Sequence, residues 1–78
     1  MTPRPFQLHV AADVLADLRE RLGRVRWPDE APGAGWQHGT SLAYMKDLVA
    51  YWRERYDWRA QEMRLNRWRQ FTVDLGGV

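Results

Sequence analysis

Side chains that could act as nucleophiles or general bases are few in this 78-residue sequence, and their spacing does not favour catalysis. Ser41 is the only serine, it stands in no Gly-x-Ser-x-Gly motif, and His38 three residues earlier has no acidic partner nearby. Asp29 and Glu30 are adjacent in a proline- and glycine-rich stretch, which is typical of a solvated turn. We therefore predict that the chain contains no catalytic residue.

The sequence also lacks the residue patterns that are typical of metal and cofactor sites. The chain has no cysteine and only two histidines, His9 and His38, which excludes thiolate zinc sites and disulfides. Gly33 and Gly35 flank an alanine, but the further glycine and the preceding strand of a phosphate-binding loop are absent. We predict no metal site and no cofactor.

Arginines alternate with tryptophans between residues 53 and 69, a composition that could bind single-stranded nucleic acid. Acidic residues in the same stretch offset half of that positive charge, and the formal net charge of the whole chain is only +2. Arginine pairs well with carboxylates in a bidentate geometry. We therefore expect Arg53, Arg55 and Arg59 to pair with carboxylates, and we predict no nucleic-acid partner.

Hydropathy gives no indication of a membrane segment. No apolar run approaches the roughly 20 residues that a membrane span needs. Residues 1–10 are interrupted by Pro3, Arg4 and Pro5, which is unlike a signal peptide. We expect no membrane partner and a cytoplasmic location.

Three helices and two extended segments are predicted from the spacing of apolar residues. Apolar side chains recur at helical spacing in three segments, which are residues 12–24, 41–55 and 58–65. Thr40 or Ser41 can cap the second helix, and Asp57 can cap the third. Residues 6–10 and 71–75 alternate apolar and polar side chains, as strands do. The fold class that we predict is mainly α.

A loop of two prolines and three glycines, residues 27–40, joins the first two helices, and its two tryptophans are expected to anchor it. A chain this short buries only about 60–65% of its unfolded surface, whereas each of its five tryptophans can bury on the order of 200 Å². Some of these rings should therefore contact another surface. We predict five docking residues, which are Trp27, Trp36, Leu48, Trp52 and Trp58.

The C-terminal strand is followed by Gly76 and Gly77, a pair that favours a hairpin turn. The second strand of such a hairpin is missing, and a lone strand leaves unpaired backbone groups. We therefore expect the chain to be a fragment of a longer protein.

Several short motifs resemble the N-terminal domain of epoxide hydrolases of the microsomal type. They run in order along nearly the whole chain: Arg26-Trp27-Pro28-Asp29, Gly33-Ala34-Gly35-Trp36, His38-Gly39-Thr40, Tyr51-Trp52-Arg53, Asp57-Trp58-Arg59, Glu62 and Leu65-Asn66. The hydrophobic membrane anchor of the animal members has no counterpart in this sequence.

The resemblance implies an organisation and a role. Residues 1–69 would form a helical domain that precedes an α/β-hydrolase domain, and residues 70–78 would supply the first strand and turn of that domain's sheet. In the family an Asp nucleophile opens the epoxide, two Tyr hydroxyls hold its oxygen, and a His activates water to release a diol. Those groups lie downstream, so the epoxide would be a partner only through the catalytic domain. The alternative is a free-standing protein-interaction module.

Overall fold

The computed structural model describes residues 2–77 and confirms a mainly helical chain with a small two-stranded sheet. In chain order the elements are β1 (Arg4–Phe6), α1 (Ala12–Gly23), α2 (Leu42–Glu54), α3 (Trp58–Leu65) and β2 (Gln70–Thr72). The three predicted helices are confirmed to within one residue at each end. The chain divides into two compact units: Ala11–Tyr56 holds α1 and α2, and residues 2–10 with 57–77 hold β1, α3 and β2.

Both predicted helix caps are confirmed. The Ser41 hydroxyl accepts a hydrogen bond from the backbone N–H of Tyr44 at 3.3 Å, and Asp57 Oδ1 accepts one from the N–H of Ala60 at 3.1 Å. Each bond satisfies one of the amide donors that the first turn of a helix leaves unpaired. The helix starts are therefore determined locally, which explains why the sequence predicts them well.

The two strands overlap their predicted positions only in part, because the pairing between strands fixes their limits and alternation of side chains does not. β1 pairs with β2 in antiparallel register, with Arg4 opposite Thr72 and Phe6 opposite Gln70. Residues 8–10 were expected in the first strand, but the backbone N–H of Val10 donates to Glu62 in α3 and that of Leu8 donates to Asn66, the C-cap residue of α3.

The C-terminal tail was predicted to be a strand over residues 71–75, whereas β2 ends at Thr72. Gly76 and Gly77 both adopt positive φ, a conformation that a tight turn requires and that glycine adopts without strain. The role of this tail as the first strand of a larger sheet stays a prediction. The predicted domain limits at Met1 and Val78 lie outside the described residues, and the boundary between residues 69 and 70 is also still a prediction.

Packing of the two helices in the unit Ala11–Tyr56 does not fully bury their apolar side chains. α1 and α2 contact each other, and their facing apolar side chains are only half-buried. These residues are Leu15, Leu18, Leu22, Met45 and Val49. Among residues 2–77 no hydrophobic side chain is buried, and the one buried residue is Glu62, which is 7% exposed. The described part of the chain therefore has no hydrophobic core of its own.

Candidate functional site

Glu62 lies at the centre of the densest polar cluster in the described residues. Trp58, Arg59 and Glu62 stand three and four positions apart on α3, so their side chains share one face of the helix. Glu62 Oε2 accepts from the Val10 backbone N–H at 2.7 Å and from Trp58 Nε1 at 3.2 Å. Arg59 Nη1 donates to Oε1 at 2.9 Å. The buried carboxylate is therefore satisfied by three different donors.

These donors determine the protonation of Glu62. The hydrogen bond from the Val10 N–H is the largest effect and lowers the pKa of Glu62, and the Arg59 guanidinium and the Trp58 indole lower it further. Partial burial acts in the opposite direction, but the pKa stays below its usual value. Glu62 is therefore ionised at neutral pH and serves as a hydrogen-bond acceptor, a role opposite to that of a general acid.

Asn66, one helical turn after Glu62, binds the same extended segment. Asn66 Oδ1 accepts from the Leu8 backbone N–H at 2.9 Å, and its Nδ2 donates to the Leu8 carbonyl oxygen at 2.7 Å. One α-helical turn rises about 5.4 Å, and two residues of extended chain span about 6.6 Å. Side chains four apart on α3 can therefore reach alternate residues of segment 8–10. We call Glu62, Asn66 and the segment 8–10 that they hold the α3 clamp.

The α3 clamp was not predicted from the sequence. Glu62 and Asn66 were noted in the sequence motifs, but no role was predicted for either side chain. The spacing of Trp58, Arg59 and Glu62 could have indicated a cluster on one face of α3. Nothing in local spacing indicates Leu8 and Val10 as partners, because these lie 58 and 52 residues away.

Among the predicted docking residues, Trp58 already has a partner in this chain, because its half-buried indole N–H donates to Glu62. Trp27 is half-buried, whereas Trp36, Leu48 and Trp52 are exposed by 60%, 43% and 44%. Trp58 belongs to one compact unit and the other four residues to the other. Their contact with a catalytic domain remains a prediction.

The loop over residues 27–40 is fastened to α2 at two points. Trp36 packs against Tyr44 with ring centroids 5.1 Å apart and planes inclined by 55°, which is a tilted aromatic pair. Glu30 Oε2 accepts from the Leu42 backbone N–H at 2.7 Å, so the loop supplies a second cap for the N-terminus of α2. The prediction that Trp36 anchors this loop is consistent with these contacts.

An open cavity of about 390 Å³ lies between this loop and the start of α2. Trp27, Met45, His38 and Glu30 are among the residues that line it. Glu30 is already engaged as a helix cap, and the nearby Ser41 hydroxyl accepts from Tyr44. The cavity therefore presents no pair of a nucleophile and an activating base.

Arginine pairing follows the prediction at one of three positions. Arg59 pairs with Glu62, but Arg53 and Arg55 form no ion pair with another described residue. The guanidinium of Arg53 lies beside Gly23 instead, so close that an added Cβ at Gly23 would stand 2.8 Å from its Cζ. Gly23 is the last residue of α1, where the helix dipole favours a cation.

Neither a metal site nor a membrane-spanning helix is present in the described residues. No group of three or more His, Asp or Glu side chains in residues 2–77 is arranged to hold a metal ion. No helix in the same part of the chain combines the length and the apolar character that crossing a bilayer requires.

Comparison with known proteins shows that the sequence is similar to part of several epoxide hydrolases. The profile of the family described as "Epoxide hydrolase N terminus" matches residues 3–78. The chain is 43% identical to a putative epoxide hydrolase of Stigmatella aurantiaca, over 95% of this chain and 17% of the relative. It is 32% identical to juvenile hormone epoxide hydrolase 2 of Ctenocephalides felis and 28% identical to epoxide hydrolase 1 of Oryctolagus cuniculus, in each case over 96% of this chain and 16% of the relative. The chain thus spans about a sixth of the length of these curated relatives.

Proposed function

Because the chain belongs to the epoxide hydrolase N-terminus family, we propose that it is the N-terminal packing segment of an epoxide hydrolase. In this proposal the chain covers part of an α/β-hydrolase catalytic domain, and that domain adds water to an epoxide to give a diol. Residues 70–78 contribute the first strand and turn of the catalytic domain's sheet. The relatives are about six times longer than the matched segment, which leaves ample polypeptide for such a domain.

The observation that carries the proposal is the unfinished interior of the chain. Among residues 2–77 no apolar side chain is buried, although the helices carry well-formed apolar faces. An amphipathic helix is stabilised mainly by burying its apolar face against another element. The described residues bury these faces only halfway, so a further surface is needed to complete the packing.

The chain's own polar side chains support a structural role. Epoxide hydration needs a nucleophile, a base that activates water, and donors for the epoxide oxygen. Ser41 is used as a helix cap, and Glu62 accepts hydrogen bonds from three donors. The reacting groups are therefore assigned to the catalytic domain, and this chain contributes its scaffold.

A chimera tests the proposal. The segment of the Stigmatella aurantiaca relative that matches this chain is replaced by the present sequence, and diol formation from styrene oxide is measured. The parent enzyme, a deletion lacking the segment, and the isolated 78-residue chain are assayed in parallel. We expect the chimera to retain activity, the deletion to lose activity or solubility, and the isolated chain to form no diol above buffer.

Two results would contradict the proposal. Diol formed by the isolated chain would mean that the chain carries catalytic groups. A chimera no more active or soluble than the deletion would remove the packing role and favour the free-standing interaction module.

A further inference from the structure

The apolar surface of α2 is wider than its contact with α1 requires. Successive residues of an α-helix are rotated by about 100°, so the positions of α2 can be placed around its axis. Leu42, Met45 and Val49 share one side and are half-buried. The adjoining side carries four large apolar residues that are all exposed, and we call it the outer face of α2: Tyr44, Leu48, Tyr51 and Trp52.

The outer face of α2 forms a continuous stripe. Its four residues have the spacing i, i+4, i+7 and i+8, which keeps them within an arc of about 100°. Trp36 of the preceding loop extends the stripe beyond the first turn of α2, because its ring packs on Tyr44 at 5.1 Å. Four aromatic rings and one leucine therefore lie side by side on one unit.

The outer face is distinct from the solvent side of the helix. Lys46, Asp47 and Glu54 lie on the far side of α2, where Ala43 and Ala50 are also exposed. A helix with one partner would carry polar residues everywhere outside its single contact stripe. α2 instead has one apolar side against α1, a second apolar side that is uncovered, and a polar remainder.

We infer that the outer face of α2, together with Trp36, is the surface that the remaining polypeptide of the enzyme covers. This inference rests on the proposed function. The matched relatives carry about five-sixths of their chains outside this segment, which is enough polypeptide to cover the outer face. The covering surface is apolar at its centre and offers hydrogen-bond acceptors at its rim, where the Tyr hydroxyls and the indole N–H groups need partners.

The covered surface contains only some of the predicted docking residues. Trp36, Leu48 and Trp52 belong to the covered surface, and Tyr44 and Tyr51 join them. Trp58 is excluded because its indole is committed to Glu62 in the α3 clamp. Trp27 is excluded because it is half-buried beside the loop cavity.

Lysine substitutions in the chimera test this assignment. Leu48→Lys and Tyr51→Lys place a charge on the outer face, and Ala50→Lys places the same charge on the opposite side of the same helix. Burying an unpaired charge at an interface is strongly unfavourable, whereas a lysine on an exposed helix surface is well tolerated. We expect the two outer-face variants to lower the thermal midpoint of the chimera by about 5 °C or more, and Ala50→Lys to change it by about 1 °C or less.

Radical footprinting of the unsubstituted chimera supplies a measurement that does not depend on any variant folding. Trp52 and Tyr51 should be oxidised several-fold more slowly than Trp68 in the same chimera. Trp68, which is 76% exposed and lies outside the proposed surface, serves as the internal reference.

Two outcomes would overturn the inference. Equal effects of Leu48→Lys and Ala50→Lys, with Trp52 oxidised as fast as Trp68, would leave the outer face uncovered. Conversion of a chimera dimer into a monomer by Leu48→Lys would identify a second copy as the occupant. Failure of the proposed function is recognised separately, because the unsubstituted chimera would then perform no better than the deletion.

Discussion

The side-chain amide of Asn66 pairs with both backbone groups of Leu8, accepting from its N–H at 2.9 Å and donating to its carbonyl at 2.7 Å. An amide that offers one donor and one acceptor reproduces what a neighbouring strand would present. Helix α3 therefore holds the extended segment 8–10 by side chains, beyond the point where the β1–β2 ladder ends. Residues 4–6 are therefore held by strand pairing, and residues 8–10 are held by the side chains of Glu62 and Asn66.

Replacing Asn66 by aspartate should release Leu8. The aspartate lacks the donor and sets a carboxylate oxygen against the Leu8 carbonyl, which should cost about 1–3 kcal/mol. Hydrogen exchange at the Leu8 amide should accelerate roughly tenfold or more, since about 1.4 kcal/mol of opening free energy corresponds to a factor of ten. Gln61→Glu is the matched control, because it makes the same chemical change on α3 next to Arg64. Equal acceleration in both variants would show that added charge, and not the lost amide, loosens the segment.

The α3 clamp should weaken in acid. The pKa of Glu62 is lowered in the folded chain, chiefly by the Val10 N–H and then by Arg59, relative to an ordinary value of 4.5. A group whose pKa is depressed on folding contributes stability that is fully present above the unfolded pKa. That contribution is lost as the pH falls below about 4.5 and through the folded pKa. We expect exchange at the Val10 amide to speed up over this range.

Glu62→Gln tests the assignment of this pH dependence. The neutral amide cannot titrate and pairs poorly with Arg59, so Val10 should be less protected at neutral pH, and the change in protection between neutral and acidic pH should shrink. Glu20→Gln is a suitable control, because Glu20 is an exposed member of an i,i+4 pair with Arg24. If the Glu62→Gln protein kept the full acid transition at Val10, another group would be responsible.

Glu30 should determine how firmly the loop is joined to α2. Its carboxylate accepts from the Leu42 N–H, one of the first-turn donors that α2 itself cannot satisfy. Glu30→Ala should cost about 1 kcal/mol and increase hydrogen exchange at Leu42 severalfold. Glu30→Gln retains an acceptor and should preserve most of the protection. Ser41→Ala, which removes the cap on Tyr44, should cost a similar amount and affect a different amide.

The contact between Gly23 and Arg53 should appear as an energetic coupling. Ala in place of Gly favours a helix by up to about 1 kcal/mol, but the added methyl would displace the guanidinium that lies 2.8 Å from its position. Gly23→Ala should therefore stabilise α1 more in an Arg53→Ala background than in the original chain. A double-mutant cycle on the exchange of α1 amides measures this difference. If the effects of Gly23→Ala and Arg53→Ala on the stability of α1 were strictly additive, the Arg53 guanidinium would not interact energetically with position 23.

The sequence predicts those parts of the fold that depend on near neighbours. The caps at Ser41 and Asp57 each act three residues along the chain, and the helices that follow begin where predicted. The strands were misplaced because β1 is held by a partner more than sixty residues away, and alternation carries no information about that pairing.

The same difference between short-range and long-range contacts explains which parts of the candidate site were predicted. Trp36 was expected to anchor the loop, and Tyr44 is only eight positions along, at the start of the next helix. Glu62 was overlooked because its shortest hydrogen bond comes from Val10, 52 residues earlier. Leu48 and Trp52 of the outer face of α2 were among the predicted docking residues, but the full extent of that face was not predicted. Apolar spacing shows that a helix has an apolar side, but it does not tell how much of that side a neighbour covers.

The long-range pairing of β1 with β2 has a consequence for the order in which the chain acquires its structure. Closing a loop of more than sixty residues costs about 4 kcal/mol of chain entropy, whereas α1, the loop and α2 form through much shorter separations. During synthesis residues 4–10 leave the ribosome before Glu62, Asn66 and strand β2, which hold them in the folded chain. Residues 4–10 therefore cannot form these contacts until translation has passed Thr72.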